Sequence, residues 1–332
     1  MSMTIAVVIL NWNGRSLLET YLPSVVKFSS EATVYLADNA STDDSVAFVR
    51  SNFPSVKIIQ NKTNGGYAKG YNDALKTLDE DLFVLLNNDV EVTQNWLQPI
   101  VREFEQDKTM VAAQPKILDA TNRDRFEYAG AAGGYIDSLG YPYCRGRIFD
   151  SLEKDEGQYD DNCEIFWATG ACLFIRRTAF REVGGFDEDF FAHQEEIDLC
   201  WRLKTLGGKI MYLGASRVYH LGGGTLASAK PQKTFYNFRN TLLLLLKNVK
   251  GTRVFALIFF RMLLDGLAGM RFLLKVEFVH IWAIIRAHLS FYTLFGKFLK
   301  KRKKHRATIK YSEIKSLVWK YFILKKRTFK EL

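Results

Sequence analysis

The first 90 residues alternate between short apolar runs and segments whose apolar residues recur with helical spacing. The apolar runs are rich in β-branched residues and predict four strands: Thr4–Leu10, Thr33–Ala37, Val56–Gln60 and Leu82–Leu86. The segments between them predict helices over Ser16–Phe28, over Ser45–Asn52 and from the glycine-rich stretch 61–72 through Leu78. This alternation is typical of an α/β fold with a parallel sheet of βαβ units.

Polar clusters follow the second and the fourth predicted strands. They occupy residues 38–44 (DNASTDD) and 87–91 (NNDVE). In parallel α/β sheets, ligands bind beyond the carboxyl ends of the strands. The sequence therefore predicts a binding site formed by these two clusters.

The later part of the chain is patterned differently. Residues 112–190 are less regular, whereas 194–209 (QEEIDLCWRLKTLGGK) predicts a helix that ends at its Gly-Gly pair. An apolar strand is predicted at 210–220, and a glycine-rich loop follows it. The chain is therefore divided into a first unit at 1–230 and a second, helical unit at 231–332.

The second unit combines dense apolar residues with regularly spaced basic ones. Its longest stretch without a charge is Ala287–Gly296, with ten residues, which is short of the ~18–20 needed to span a bilayer. This pattern predicts helices lying in a membrane interface, followed by the polybasic run Lys300–Arg306. The alternative is a buried helical subdomain with a solvated basic end.

In the membrane interpretation, the side chains of this unit divide between two depths. Apolar ones would enter the acyl boundary, and basic ones would stay at the headgroups. The expected apolar set is Phe259, Phe260, Trp282, Phe291 and Tyr292, and the expected basic set is Arg261, Arg271 and Arg286.

Composition narrows the class of protein. The 332 residues are 48% hydrophobic and 25% charged, which excludes a disordered or fibrous chain. Four cysteines without a Cys-x-x-Cys pair predict free thiols in a reducing compartment. The N-terminus enters a strand pattern without a basic segment before it, so no signal peptide is expected.

The net charge of +10 is unevenly distributed. Residues 233–332 contain 23 Lys/Arg and 4 Asp/Glu, a net +19, whereas residues 1–232 contain 23 and 32, a net −9. A tail this basic predicts an anionic partner, either a membrane or a nucleic acid. The many apolar residues between the charges favour an anionic membrane surface and predict no nucleic acid.

Asp89 and His220 are candidate metal ligands. Asp89 follows a predicted strand, where a carboxylate can hold a hard divalent cation that neutralises a diphosphate. Asn-Asn-Asp is also good turn chemistry, so a plain turn remains the alternative. His220 ends a predicted strand, and a lone histidine is more often structural than a ligand.

Two further clusters are candidates for nucleotide binding. Asp38 and Asn39 follow the second strand and could either pair with a nucleotide or form an Asx turn. The stretch containing Gly65, Gly66 and Lys69 lacks the spacing of a dinucleotide or P-loop motif. It is either a glycine-rich helix entry or a place where backbone approaches a ligand closely.

Acidic residues open the predicted helix at 194–209. Asp198 can pair with Arg202 four residues later, which is a structural role. Glu196 has Cys200 at that spacing and therefore no basic partner on the helix. It is the candidate general base, because burial can raise the pKa of an unpaired carboxylate.

Taken in order, these motifs resemble a known family. The set is VVILNWNG, ADNASTDD, NGGYAKGYN, LLNNDVEV, GGFDEDFF, EEIDLCWR and VYHLGGGT, within residues 3–226. It resembles inverting family 2 glycosyltransferases of the rhamnosyltransferase-like branch. The resemblance implies the GT-A fold, a Rossmann-like, mostly parallel sheet with helices on both faces.

The resemblance also implies a role for each matching residue. Asp38 would recognise the nucleobase of the donor, and Glu196 would be the base, with Glu195 as its alternative. Asp89 and His220 would hold Mg²⁺ or Mn²⁺, although amides replace two usual carboxylates in NND. The remaining nucleotide-sugar-binding residues would be Asn11, Asn39, Gly65, Gly66, Lys69, Asn87 and Asn88.

The implied activity is transfer of a sugar from a nucleotide-sugar, such as a dTDP-rhamnose-like or UDP-sugar, with inversion. The acceptor would be a hydroxyl of a lipid-linked glycan in bacterial surface polysaccharide synthesis. Together with the tail, this predicts a peripheral protein on the cytoplasmic face of the inner membrane. The alternatives are an inactive membrane-bound scaffold and a nucleic-acid-binding protein.

Overall fold

The computed structural model describes residues 3–222, 230–304 and 309–332. The predicted alternation at the start of the chain is confirmed. Its strands and helices are β1 (Ile5–Asn11), α1 (Arg15–Phe28), β2 (Thr33–Asp38), α2 (Ser45–Asn52), β3 (Lys57–Gln60), α3 (Gly66–Leu75) and β4 (Leu82–Asn87). Strands β1, β2 and β4 therefore each end on a residue that the sequence assigned to the binding site, whereas β3 does not.

The central part of the chain completes the main sheet and adds a small one. Its first elements are β5 (Val90–Val92), α4 (Gln98–Gln106), β6 (Met110–Asp119), β7 (Gly134–Ile136), β8 (Pro142–Cys144), β9 (Arg147–Ile148) and β10 (Ser151–Leu152). They are followed by β11 (Asn162–Glu164), β12 (Cys172–Arg176), α5 (Arg177–Glu182), α6 (Glu195–Thr205) and β13 (Lys209–His220).

Nine strands form one mixed sheet in the order β11-β13-β6-β12-β4-β1-β2-β3, with β5 paired to β13. Strands β3, β2, β1 and β4 are parallel, as predicted. Strand β12 runs antiparallel to both β4 and β6, and β13 runs parallel to β6. The carboxyl ends of β1, β2, β4, β6 and β13 consequently meet at one edge of the sheet.

Alternate side chains of the strands enter two apolar layers. Val7 and Ile9 pack on the layer that contains α1, whereas Ala6 and Val8 pack on the layer that contains α3 and α6. This period of two is the geometry of an extended strand. It explains why the buried strands of this sheet are apolar on both faces.

Three long helices follow the sheet: α7 (Pro231–Asn248), α8 (Arg253–Leu274) and α9 (Phe278–Lys304). The leucines at 242–246 of α7 are completely buried in the same layer as α3 and α6. Five consecutive buried leucines mean that this part of α7 is enclosed by the protein on every side, and α7 therefore joins the second unit to the first. The division at residue 230 stays a prediction.

The structure corrects two of the side chains assigned to a membrane surface. Phe291 is buried against the core, and Arg261 is buried in an ion pair with Asp265 at 2.8 Å. Both face the protein because one side of α9 packs on α7 and the inner side of α8 meets the loop at Leu139. The polybasic run at 300–306 extends beyond the described residues at 305 and 306.

The last part of the chain, 309–332, packs on the small sheet formed by β7 to β10. Leu317 donates its backbone N–H to Asp137 at 2.7 Å, and its side chain is buried with Tyr143 and Tyr321. All four cysteines are free thiols, as the sequence predicted.

Candidate active site

Asn11 and Asp38 lie side by side at the ends of β1 and β2, and both are buried. The Asn11 side-chain nitrogen lies 3.4 Å from Asp38 Oδ1 and 3.2 Å from Ser41 Oγ. Asn11 Oδ1 accepts a hydrogen bond from Asn88 Nδ2 at 2.9 Å. Three of the predicted nucleotide-binding residues therefore form one hydrogen-bonded row at the edge of the sheet.

Asn39 extends this row towards the glycine-rich stretch. Its side-chain nitrogen donates to Asn64 Oδ1 at 2.9 Å and to the carbonyl oxygen of Gly66 at 3.1 Å. Gly66 has φ of +77°, and a Cβ there would lie 2.7 Å from the carbonyl oxygen of Phe191. Only glycine fits this close approach of two backbone segments.

Gly65 and Lys69 lie at the start of α3. Gly65 precedes the helix, and a Cβ there would meet the side chain of Lys69 at 2.7 Å. Lys69 forms an ion pair with Asp73, one helical turn later, at 2.7 Å. Its ammonium group thus has a local partner, and its predicted contact with a nucleotide stays a prediction.

Asp89 and His220 are brought together, as the sequence predicted. Asp89 Oδ1 lies 3.1 Å from His220 Nε2, and both residues are buried. The Nδ1 atom of the same imidazole lies 3.3 Å from Glu127 Oε2. Burial alone lowers the pKa of His220, but the charges of Glu127 and Asp89 outweigh burial and raise that pKa to about 10. Asn87 Nδ2 is 3.4 Å from Nε2.

This arrangement fits a divalent cation that is shared with a ligand. No group of three or more His, Cys, Asp and Glu side chains in the described ranges could hold a metal by itself. Two adjacent ligands of an octahedral ion, each ~2.1 Å from the metal, are separated by ~3 Å, which matches the 3.1 Å between Asp89 and His220. Glu127 would orient the imidazole, as carboxylates commonly do behind metal-bound histidines. The remaining ligands would be phosphate oxygens and water.

Glu195 and Glu196 open α6, and the Oε2 atom of each is buried without a hydrogen-bond partner among the described residues. Burial, reinforced by the charge of Glu196, raises the pKa of Glu195 well above its ordinary value. Burial also raises the pKa of Glu196, to about 7. A carboxyl group with a pKa near neutrality is suited to act as a general base.

Asp198 has the structural role that the sequence predicted. It forms ion pairs with Arg202 and with Lys247 of α7, each at 2.8 Å, and accepts a hydrogen bond from Asn248. Burial alone would raise the pKa of Asp198, but Lys247 and Arg202 hold it well below its ordinary value. The first turn of α6 is thereby anchored to α7.

Tyr67 connects the two acids to the strand ends. Its hydroxyl donates to the carbonyl oxygen of Gly170 at 2.8 Å, and the next carbonyl, that of Ala171, accepts from the Asn87 backbone. The pKa of Tyr67 is raised well above its ordinary value by burial and by the nearby charges of Glu195 and Glu196. Tyr67 therefore lies near both acids and, through Gly170 and Ala171, near the end of β4.

Sequence reasoning missed Glu127 and Asn240. Glu127 lies in an irregular stretch that is placed beside β6 by the Glu127–Ile117 backbone hydrogen bond and by a bridge between Phe126 and Leu118. Asn240 is buried in α7, and its amide nitrogen lies 3.0, 2.9 and 2.8 Å from the carbonyl oxygens of Phe190, Ala192 and His193. Neither contact has a local signal in the sequence.

The fold and this site define a glycosyltransferase of the GT-A class. The chain belongs to glycosyl transferase family 2, whose model matches residues 6–184. Among curated proteins, the chain is similar to N-acetylglucosaminyl-diphospho-decaprenol L-rhamnosyltransferase of Mycobacterium tuberculosis. The two are 28% identical over 222 residues, which cover 61% of this chain and 71% of the relative.

Two solved structures show the same fold. The structure of S. aureus TarS 1-349 with UDP-GlcNAc has a TM-score of 0.56 at 14% identity and covers 94% of this chain and 97% of the other. The mannosyltransferase PcManGT from Pyrobaculum calidifontis, in complex with GDP-Man and Mn²⁺, has a TM-score of 0.52 at 14% identity. It covers 89% of this chain and 76% of the other.

Proposed function

We propose that this glycosyltransferase moves a sugar from a nucleotide-sugar to a hydroxyl of a lipid-linked glycan, with inversion at the anomeric carbon. The observation that carries the proposal is the pair of buried carboxyl groups at the start of α6, Glu195 and Glu196, each with one oxygen that has no partner among the described residues. Both act electrostatically on Tyr67, which contacts Gly170 beside the end of β4. The relative from M. tuberculosis bears the name of an enzyme acting on a diphospho-decaprenol glycan. That name supports a polyprenol-linked acceptor here.

The donor would bind along the strand ends. Asp38 would accept hydrogen bonds from the nucleobase, and Asn11, Asn39, Asn87 and Asn88 would hold the ribose and diphosphate. The hydrogen-bonded row of Asp38, Asn11 and Asn88 supports this assignment. Lys69 and the backbone at Gly65 and Gly66 would lie beside the nucleotide.

Glu196 would take the proton from the acceptor hydroxyl as its oxygen attacks the anomeric carbon. A base positioned in this way typically accelerates a reaction by ~10²–10⁴-fold. Its pKa of about 7 leaves a substantial ionised fraction at neutral pH. The attack and the departure of the diphosphate occur in one displacement, which inverts the centre without a covalent enzyme intermediate.

Asp89 and His220 would hold Mg²⁺ or Mn²⁺. A bound divalent cation would supply charge stabilisation for the departing diphosphate. Glu127 would keep the imidazole ring in its orientation. The spacing of the two donor atoms, 3.1 Å, supports this pair as ligands.

An exposed apolar face on α8 and α9 supports membrane association. Large apolar patches on a surface mark interaction sites. The members that are more than half exposed define this apolar face: Phe259, Phe260, Leu263, Leu267, Met270, Leu273, Leu274, Val276, Phe278, Val279, Trp282, Leu289 and Tyr292. Phe259, Phe260, Trp282 and Tyr292 are among the side chains that the sequence assigned to the membrane.

We propose that this face lies in the interface on the cytoplasmic side of a bacterial inner membrane. By length and composition alone, the stretch 278–302 of α9 could also cross a bilayer. Lying flat is favoured because the Ala283, Ala287 and Phe291 side of α9 is buried in the protein. Crossing would also place Arg286 within the hydrocarbon, at ~2.5–3.5 kcal/mol for a central position.

The proposed activity is tested by incubating the protein with Mn²⁺, dTDP-rhamnose or a UDP-sugar, and polyprenyl-diphosphate N-acetylglucosamine. The product's anomeric configuration is read by NMR. We expect Glu196→Gln to bind donor but to transfer at least ~10²-fold more slowly. The matched control is Glu182→Gln, at an exposed position at the end of α5. Unchanged transfer by Glu196→Gln with loss in Glu195→Gln would move the base by one residue.

The membrane proposal is tested by flotation of the full-length protein with anionic vesicles. Trp282→Glu and Phe259→Glu should reduce flotation. Leu206→Glu should not, because Leu206 is an equally exposed apolar residue that follows α6 and lies outside the apolar face. Equal flotation of all variants would contradict this role of the apolar face. A label that reaches α9 from outside intact cells would show that it crosses.

A further inference from the structure

Arg147 is a buried cation with too few partners. It is only 4% exposed, yet its Nε has no hydrogen-bond partner among the described residues. Its two other nitrogens make only long contacts, 3.4 Å to the carbonyl oxygen of Pro142 and 3.6 Å to Cys144 Sγ. Burial raises the pKa of the Cys144 thiol, so that the sulfur is a neutral neighbour. The charge of Glu127 also acts on Arg147, but no carboxylate among the described residues forms an ion pair with it. The guanidinium can therefore still accept an anionic ligand as a direct partner.

A second cation lies against the same aromatic ring. The guanidinium carbon of Arg147 is 4.5 Å, and Lys233 Nζ is 5.3 Å, from the ring centre of Tyr128. Lys233 belongs to the first turn of α7, whose 18 residues start at Pro231 with no side-chain cap. Pro231 has no N–H and the Lys233 N–H donates to Lys230, so the helix end contributes mainly the positive partial charge of a long helix. Two cations and a helix end thus converge around Tyr128.

This cluster lies between the candidate metal ligands and the apolar face. On one side, Glu127 precedes Tyr128 and contacts His220. On the other side, Thr234 follows Lys233 and is 2.7 Å from Nδ1 of His280, near the start of α9. His280 is in the segment of α9 that carries exposed apolar side chains of the apolar face. From the candidate metal ligands outward, the structure therefore places first the two cations and then the apolar face.

We propose that Arg147, Lys233 and the first turn of α7 bind the diphosphate of the lipid-linked acceptor. This inference rests on the proposed function. In a lipid-linked acceptor the sugar, the diphosphate and the lipid follow one another, in the same order as the transfer site, the two cations and the apolar face. Its sugar would reach Glu196, its diphosphate would meet the two cations, and its lipid would follow the apolar face. The diphosphate would give the Arg147 guanidinium a direct anionic partner, which no described residue supplies.

The test separates the acceptor diphosphate from that of the donor. KM is measured for two acceptors with the same sugar, one carrying an alkyl diphosphate and one carrying an alkyl ether. Lys233→Gln should raise KM for the diphosphate acceptor by ~10-fold or more, the usual worth of a charge-assisted hydrogen bond. It should leave KM for the ether acceptor and for the donor unchanged. Lys233→Arg should retain most of the affinity, and Lys108→Gln, at an exposed turn, is the control.

Binding without turnover gives a second readout. Calorimetry with geranyl diphosphate should show weaker binding to Lys233→Gln and to Arg147→Gln, whereas UDP with Mn²⁺ should bind as it does to the unchanged protein. If the variants lose affinity for UDP instead, the cluster belongs to the donor site and the inference is overturned. It is also overturned if the variants bind geranyl diphosphate and UDP as tightly as the unchanged protein does. If the unchanged protein binds geranyl diphosphate but transfers no sugar to the diphosphate acceptor, the proposed function fails and the binding site stands.

Discussion

Replacing Asn240 with leucine tests whether α7 positions the base. Leucine has nearly the shape of asparagine but cannot donate a hydrogen bond. The Asn240 amide nitrogen faces three carbonyl oxygens, those of Phe190, Ala192 and His193, at 2.8–3.0 Å. The loop that it holds leads directly into Glu195, at the first position of α6.

The expected loss of stability follows from the number of N–H protons on the Asn240 amide. An amide nitrogen carries two protons, so two full hydrogen bonds are shared among three carbonyls. Leaving buried acceptors without donors costs ~1–3 kcal/mol each, or ~2–6 kcal/mol for two. Phe191, His193 and Gln194 have φ of 65°, 68° and 74°, and each such residue stores ~1–3 kcal/mol of strain. Without the amide, the loop is therefore expected to relax and to carry the carboxylates with it.

The assay measures kcat, both KM values, the pH profile and the melting temperature. We expect Asn240→Leu to lower kcat by ~10²-fold, within the range that a general base contributes, and to move the midpoint of the pH profile. KM for the donor should change less than kcat, because the loop contacts the predicted nucleotide site at Gly66, whereas Asp38 lies on β2. Asn237→Leu, on the same helix and partly exposed, is the matched control. An Asn240→Leu protein with normal kcat and pH midpoint would refute the reasoning.

Three further predictions concern the site itself. Asp89→Ala should remove the Mn²⁺-dependent part of UDP binding in calorimetry, and Asp44→Ala, which is exposed, should not. Glu127→Gln should weaken Mn²⁺ affinity by ~10–100-fold through the imidazole that it orients; unchanged affinity would contradict that role. Since Glu196 must be ionised to act, kcat/KM should rise as the pH increases through about 7. Its pKa is raised from 4.5 on folding, so the free energy of unfolding should fall from pH 4.5 to about 7 and fall less in Glu196→Gln.

The sequence predicts the strand-end half of the site because that half depends on local pattern. Asn11, Asp38 and Asp89 each follow an apolar run, and parallel strands place such residues at one edge. Glu127 and Asn240 belong to no such pattern, since each acts on residues about 50 to 90 positions away. Their roles depend on how the chain folds back, which a period of two or 3.6 does not encode.

The same limit explains the two errors in the C-terminal helices. Composition distinguishes apolar from basic residues but not which face of a helix meets the protein. Phe291 and Arg261 lie on the inner faces of α9 and α8, whereas Phe259 and Tyr292 lie on the outer ones. Arg261 remains charged inside because Asp265 pairs with it. The predicted helices are confirmed, and the assignment of their faces needed the structure.

Salt should separate the two roles of the C-terminal helices. Exposed basic side chains bind an anionic surface through charges that ions screen, with a Debye length of ~14 Å at ~0.05 M and ~4 Å at ~0.5 M salt. The Lys247–Asp198 pair is buried, and buried pairs are screened much less. Raising salt should therefore release the protein from anionic vesicles while kcat on a water-soluble acceptor stays nearly constant. If kcat fell in parallel with flotation, the position of the loop before Glu195 would depend on membrane binding rather than on its contacts with Lys247 and Asn240 of α7.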